Sequence, residues 1–168
     1  NDLFVDGSIR EAACMAHARR KLYDIHVKTP SETTTKALAS ISELYAIEAS
    51  IRGKPPEERL RVRQEKAKPL LQAYGAWLRA KLETLSAKSD TTKAINYTLN
   101  QWDALTLYCD DGAIEIDNNL AENVLRCVAL GRKNFLFAGS DSGGERAAAM
   151  YGLVGTCKLN DIDPRAHL

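Results

Sequence analysis

The strongest constraint on this chain is a run of roughly eighty residues, 31–110, whose apolar side chains recur mostly at spacings of three and four. Leu38, Ile41, Leu44, Tyr45 and Glu48 make the first stripe, and Ser31, just after Pro30, is placed to cap its helix. "RGKPPEE" ends that helix, because Gly53 and the paired prolines cannot continue it. Leu70, Leu71, Tyr74, Trp77, Leu78 and Leu82 form a second stripe, with Pro69 at its entry predicting a kink or a restart. After "LSAKSD", Ile95, Leu99, Trp102, Leu105 and Cys109 form a third, with Ser89 as its cap. Three amphipathic helices joined by short breaks bury their stripes together as an antiparallel helical unit.

The flanks read differently. In residues 1–30, Ile9 to Cys14 is long enough for one buried strand, and "AHARRKLYDI" makes a helical turn or two bearing Arg19, Arg20 and Lys21. In residues 111–168, Asp111-Gly112 is a turn, "AIEI" a short extended stretch, and a helix follows from about 118 to 128. "GRKNFLFAGS" is a strand or an extended loop, and "GSDSGGE" a turn. A last helix, about 144 to 160, is apolar almost all round and is expected to be buried.

Composition is that of an ordinary globular chain, 45% apolar and 27% charged, with a formal net charge of +1. Any surface for a polyanion must therefore be a local patch. The four cysteines form no CxxC pair, which points to reduced thiols and a cytoplasmic setting. The longest nearly apolar run, "AAAMYGLVG", is too short for a bilayer, and "NDLFVDGSIREAA" lacks the pattern of a secretory signal.

Several stretches invite chemistry. In "IDNNLAENVLRC", Asn119 and Glu122 have capping-box spacing, and a first-turn carboxylate suits the helix dipole. Arg126, one turn on, pairs with Glu122 at i+4 on this local reading. Cys14-x-x-His17 offers two zinc ligands where a structural site takes four, and no second pair is visible. Arg19, Arg20 and Lys21, with Arg10 and His17, form the most basic short stretch, either a solvated helix face or a phosphate track. Gly143-Gly144 before a helix can present N–H groups to an anion, but the GK[ST] ending of a phosphate loop is missing. No nucleophile motif accompanies the three histidines.

Together these pieces are more specific. "REAACMAHARRKLYD", "LYAIE", and the run from Ile116 to Pro164 closely resemble the transposases of the bacterial insertion sequence 66 family. The resemblance implies a helix-dominated α+β fold, a partial ribonuclease-H-like core of the DDE type interrupted by an all-α insertion. It assigns the core to residues 1–30 and 111–168 and the insertion to 31–110. It makes Glu122 a catalytic and metal-binding residue, the last of two aspartates and a glutamate that hold two Mg²⁺ or Mn²⁺ ions. Such a pair of ions, about 3.5–4 Å apart, activates the attacking oxygen and stabilises the leaving one, and needs several carboxylates. Cys14-x-x-His17 resembles a CxxH signature that follows a core strand in several transposase families.

The resemblance also implies transposon-end DNA as the partner. Its contacts would come from His17, Arg19, Arg20, Lys21, Arg126, Arg132 and Lys133. Two departures stand beside Glu122: the family usually reads Glu-Arg where this chain has Glu122-Asn123, and proline where it has Cys127. The two aspartates are expected upstream of Asn1. Asp6 falls in a loop, and Asp117, five residues before Glu122, is about 140° away around an ideal helix. The chain is thus expected to be a C-terminal portion, inactive alone and without a tightly bound metal. Its strand edge would favour homo-oligomers, or the chain would rearrange into a mostly helical fold. The alternative is a non-catalytic DNA-binding or multimerisation fragment.

Overall fold

The computed structural model describes residues 10–123, 125–126 and 140–167. It divides into two compact units, Asn1–Asp117 and Asn118–Leu168. The described residues are mostly helical and contain no strand.

In the first unit, α1 (Met15–Lys28) buries Met15, Ala18 and Leu22 along one side. Helix α2 (Glu32–Ser50) starts as its sequence predicts. Ser31 Oγ accepts the Thr34 N–H at 3.2 Å, and Thr34 Oγ1 accepts the Ser31 N–H at 3.1 Å, a reciprocal capping box. The stripe then buries Ala37, Ile41, Leu44 and Glu48, with Leu38 and Tyr45 half-buried at its margin. Gly53 takes a left-handed φ of 75° in the break that follows.

The next helix runs through Pro69 with one local adjustment. Helix α3 (Pro56–Val62) passes into a π-helical turn (Arg63–Ala67) and on into α4 (Lys68–Thr84). The Lys68 N–H bonds to the Arg63 carbonyl, five residues back. Pro69 has no N–H to give, and its ring would crowd the carbonyl four residues earlier; the widened turn relieves that conflict. The predicted kink is therefore a π turn. Helix α5 (Asp90–Asn100) is capped by Ser89, whose Oγ accepts the Thr92 N–H at 3.0 Å. The third stripe does not stay on one helix. Gln101 leaves helical geometry at φ −107°, ψ 17°, and α6 (Trp102–Thr106) and a 3₁₀ turn (Leu107–Cys109) follow. That break turns Leu105, Leu107, Tyr108 and Cys109 inward together.

Helix α1 packs on α2 and α5, and α4 packs on the same two, so the core is enclosed by four helices. The expected strand is not seen. Ile9 lies outside the described residues, and residues 10–14 pair with no strand. The Ala13 N–H instead bonds to the Ala104 carbonyl at 3.0 Å, and the Met15 N–H to the Ile116 carbonyl at 3.1 Å. A single extended segment needs a neighbouring strand to become a ladder, and among the described residues none exists. The sheet of a ribonuclease-H-like core, and the strand edge expected to drive self-association, are accordingly absent among the described residues.

The second unit contains helical residues 119–123 and 125–126, α7 (Asp141–Leu159) and α8 (Pro164–His167). Ser140 caps α7, its Oγ accepting the Gly143 N–H at 3.1 Å. The helix ends where Asp161 takes φ 56° and the Ile162 N–H returns to the Cys157 carbonyl at 2.8 Å. The expectation that this helix is buried all round is corrected: only Cys157 of α7 is buried, and Met150, Tyr151 and Leu159 are exposed. Its Ala- and Gly-rich middle, 147–155, is apolar, while Asp141, Glu145, Arg146 and Lys158 stand nearer its ends.

Candidate functional site

Among the described residues the most deeply held charge lies in the first unit and belongs to no residue singled out as a candidate above. Arg63, inside the π turn, is fully buried. Its Nε donates to Glu48 Oε1 at 2.8 Å and its Nη2 to Glu48 Oε2 at 2.7 Å, a bidentate pair. Its Nη1 donates to the carbonyls of Tyr108, Asp111 and Ile114 at 3.0, 3.0 and 2.8 Å. One guanidinium thereby ties α2 to the segment 108–114. Arg59 adds a 2.8 Å ion pair with Glu115. Gly112 passes so close to α3 that a Cβ would run into the Pro56 backbone. Beyond the tied segment, Tyr45 on α2 donates its hydroxyl to Asp117 Oδ2 at 2.8 Å. Burial first, and this carboxylate second, raise the Tyr45 phenol well above its ordinary value. The sequence signal for the clamp was visible: Glu48 is a carboxylate within an apolar stripe, which calls for a buried cation.

The basic candidates of α1 sit on its outer side. Arg19, Arg20 and Lys21 are exposed, while His17 is half-buried. Arg19 lies over the Tyr23 ring at 5.5 Å, and Lys21 Nζ over the Tyr97 ring at 4.4 Å. These contacts hold the two cations on the surface without burying them. Cys14 stands at the N-cap of α1, half-buried, with no side-chain cap bond.

Glu122 belongs to the second unit and is exposed. Its helical stretch begins at 119, and its N–H bonds to the Asn118 carbonyl at 2.9 Å. Asn118 therefore occupies the N-cap, and Glu122 stands one position beyond N3. The expected Asn119–Glu122 capping box is out of register by one residue. Arg126 is likewise helical and exposed. Arg132, Lys133, Asp6 and Cys127 lie outside the described residues. Among the described residues no three His, Cys, Asp or Glu side chains gather into a group able to hold a metal ion, and no helix is long and apolar enough to cross a membrane.

The first unit thus carries three exposed cations on α1, and the second carries an exposed carboxylate near a helix start. Comparison with known proteins makes the class specific. The profile described as "Transposase IS66 family" matches residues 1–146, and the chain belongs to that family. An uncharacterised protein of Sinorhizobium fredii (strain NBRC 101917 / NGR234), y4hP, is 43% identical over 169 residues, covering 94% of this chain and 31% of that protein. A second from the same organism, y4qI, is 40% identical over 157 residues, covering 94% of this chain and 29% of its own length. The Escherichia coli (strain K12) protein YuaK is 62% identical over 26 residues. The chain spans about 30% of the length of the first two relatives. No solved structure matches it significantly.

Proposed function

We propose that this chain is the C-terminal part of the catalytic region of a DDE-type DNA transposase, and that Glu122 is the last carboxylate of its active site. The observation that carries the reading is the family match across residues 1–146, which includes Glu122. The exposure of Glu122 near the start of its helix supports it. A carboxylate is the donor type that Mg²⁺ or Mn²⁺ takes, but one carboxylate is too few for two ions. The other acidic residues belong on this reading to polypeptide beyond these 168 residues. Residues 31–110 are then the helical insertion, and the Glu48–Arg63 clamp fixes the chain segment returning from it.

DNA is the partner. Arg19, Arg20 and Lys21 contact its backbone from α1, and His17, Arg126, Arg132 and Lys133 are the further candidate contacts. The alternative of a non-catalytic DNA-binding module draws on one observation, the self-contained four-helix core behind the basic face of α1.

One experiment tests the reading at two levels. The chain is incubated with supercoiled plasmid and Mn²⁺, and its duplex affinity is followed against salt. The expected result is no nicking, with binding that weakens as salt rises and a shallower salt slope after charge reversal at Arg19, Arg20 and Lys21. Nicking abolished by Glu122→Gln would show that the chain is catalytically sufficient and overturn the incomplete-site proposal. Absence of binding at low salt would remove the α1 face as a DNA contact.

A further inference from the structure

A groove of about 570 Å³ opens in the first unit where the segment before α1 meets α4 and the α5–α6 junction. Its wall holds Trp102, half-buried, at the start of α6. The indole is fixed from behind. Tyr74 lies 6.1 Å away centroid to centroid, and any Cβ at Gly75 would stand 2.6 Å from the indole Cζ2, so only glycine admits the ring here. Arg79 is held over the indole with its Cζ 5.7 Å from the ring centroid. Around this pair stand the amides of Asn100 and Gln101, and the opposite charges of Arg10 and Glu11. Asp103 lines the groove as well, so two cations and two carboxylates share its wall.

That chemistry selects its ligand. A phosphate would meet two carboxylates beside the two guanidinium groups, with little net attraction. An aliphatic group would leave the amides and charges unpaired. A planar, uncharged ring with donors and acceptors on its edge satisfies the set: it stacks on the indole or the guanidinium and bonds through its rim. We propose that this groove receives a single unpaired nucleobase of a DNA strand, with Trp102 and Arg79 as the stacking platform. The site is separate from the basic face of α1 in the residues it uses, and it reads bases where that face reads backbone. It rests on the proposal that the partner is DNA, but not on the role of Glu122.

The test uses the intrinsic fluorescence of the chain carrying Trp77→Phe, which leaves Trp102 as the only tryptophan. A single-stranded oligothymidine is titrated at low salt, beside an abasic strand of equal length and a perfect duplex. The expected result is saturable quenching of Trp102 by the base-bearing strand and none by the abasic strand. Base–aromatic stacking typically contributes enough that Trp102→Ala should weaken single-strand binding roughly 5- to 150-fold, measured by anisotropy. Arg79→Gln, at an exposed position, should weaken it in the same direction without unfolding the chain, which guards against a Trp102→Ala variant that fails to fold. Equal affinity for base-bearing and abasic strands, or an unquenched Trp102 at saturation, overturns the groove while leaving the α1 face intact. No binding to any DNA overturns both.

Discussion

The Glu48–Arg63 pair is the place where a small change should have the largest and most diagnostic effect. Arg63 is 0% exposed and Glu48 7%, and five donor–acceptor contacts converge on the guanidinium. Replacing Glu48 by leucine leaves a buried cation with only carbonyl dipoles and the Tyr108 ring around it. Breaking such a pair from one side costs about 3–5 kcal/mol. Arg63→Leu leaves the Glu48 carboxylate buried and deprives the Tyr108, Asp111 and Ile114 carbonyls of their shared donor, so it should cost at least as much. Against a typical stability of about 5–15 kcal/mol, either single change should remove a large share. The double replacement removes both charges and their desolvation together, leaving only the three carbonyls to find water. It should therefore cost less than the sum of the singles by roughly 2 kcal/mol or more. Urea denaturation of the four proteins gives the cycle directly. Additive costs, or single costs below about 1 kcal/mol, would refute the claim that this pair is a desolvated clamp.

Four further outcomes follow from particular contacts. Gly112→Ala should lower the melting temperature clearly, because its methyl meets the Pro56 backbone and overpacking of this kind typically costs about 1–3 kcal/mol. Ser31→Ala removes the acceptor for the Thr34 N–H and should cost about 1 kcal/mol in denaturant unfolding. Burial pushes the Cys109 thiol up from 9.0 to about 11, so the folded state holds a proton that the unfolded state releases first. The resulting stability is complete below about pH 9 and is lost as pH rises towards 11, and the loss over that window should shrink in Cys109→Ala. The same burial should keep Cys109 unreactive to a thiol reagent at pH 8, while half-buried Cys14 reacts ahead of it.

Much of the helical unit was legible because its signals are local. The Ser31 and Ser89 caps, the break at Gly53 and the stripes of α2 and α4 follow from spacing and turn chemistry alone. The π turn was half legible: Pro69 announced a conflict, but whether a helix kinks, stops or widens depends on what packs against it, here Glu48 and the 108–114 segment. The third stripe misled because apolar residues can keep a three-to-four spacing across a break, and Gln101 provides one. The exposure of α7 was not legible, since a helix apolar almost all round says that it wants cover and not which part of a polypeptide supplies it. At the candidate site, the Asn119–Glu122 spacing suggested a cap that the helix start at 119 displaces by one residue. The Trp102 groove was invisible in sequence because its members, from Arg10 to Asp103, meet only after the four helices pack.

The central claim, that Glu122 is a catalytic carboxylate of a metal-dependent transposase, is tested most directly in a full-length family polypeptide containing this chain. Its Mn²⁺-dependent cleavage of transposon-end DNA would be compared with that of a Glu122→Gln variant, with end binding measured on the same samples. The account predicts that the variant binds the ends with unchanged affinity and cleaves at least 100-fold more slowly, a loss of about 2.7 kcal/mol in transition-state stabilisation. Cleavage by Glu122→Gln at the unsubstituted rate would contradict it.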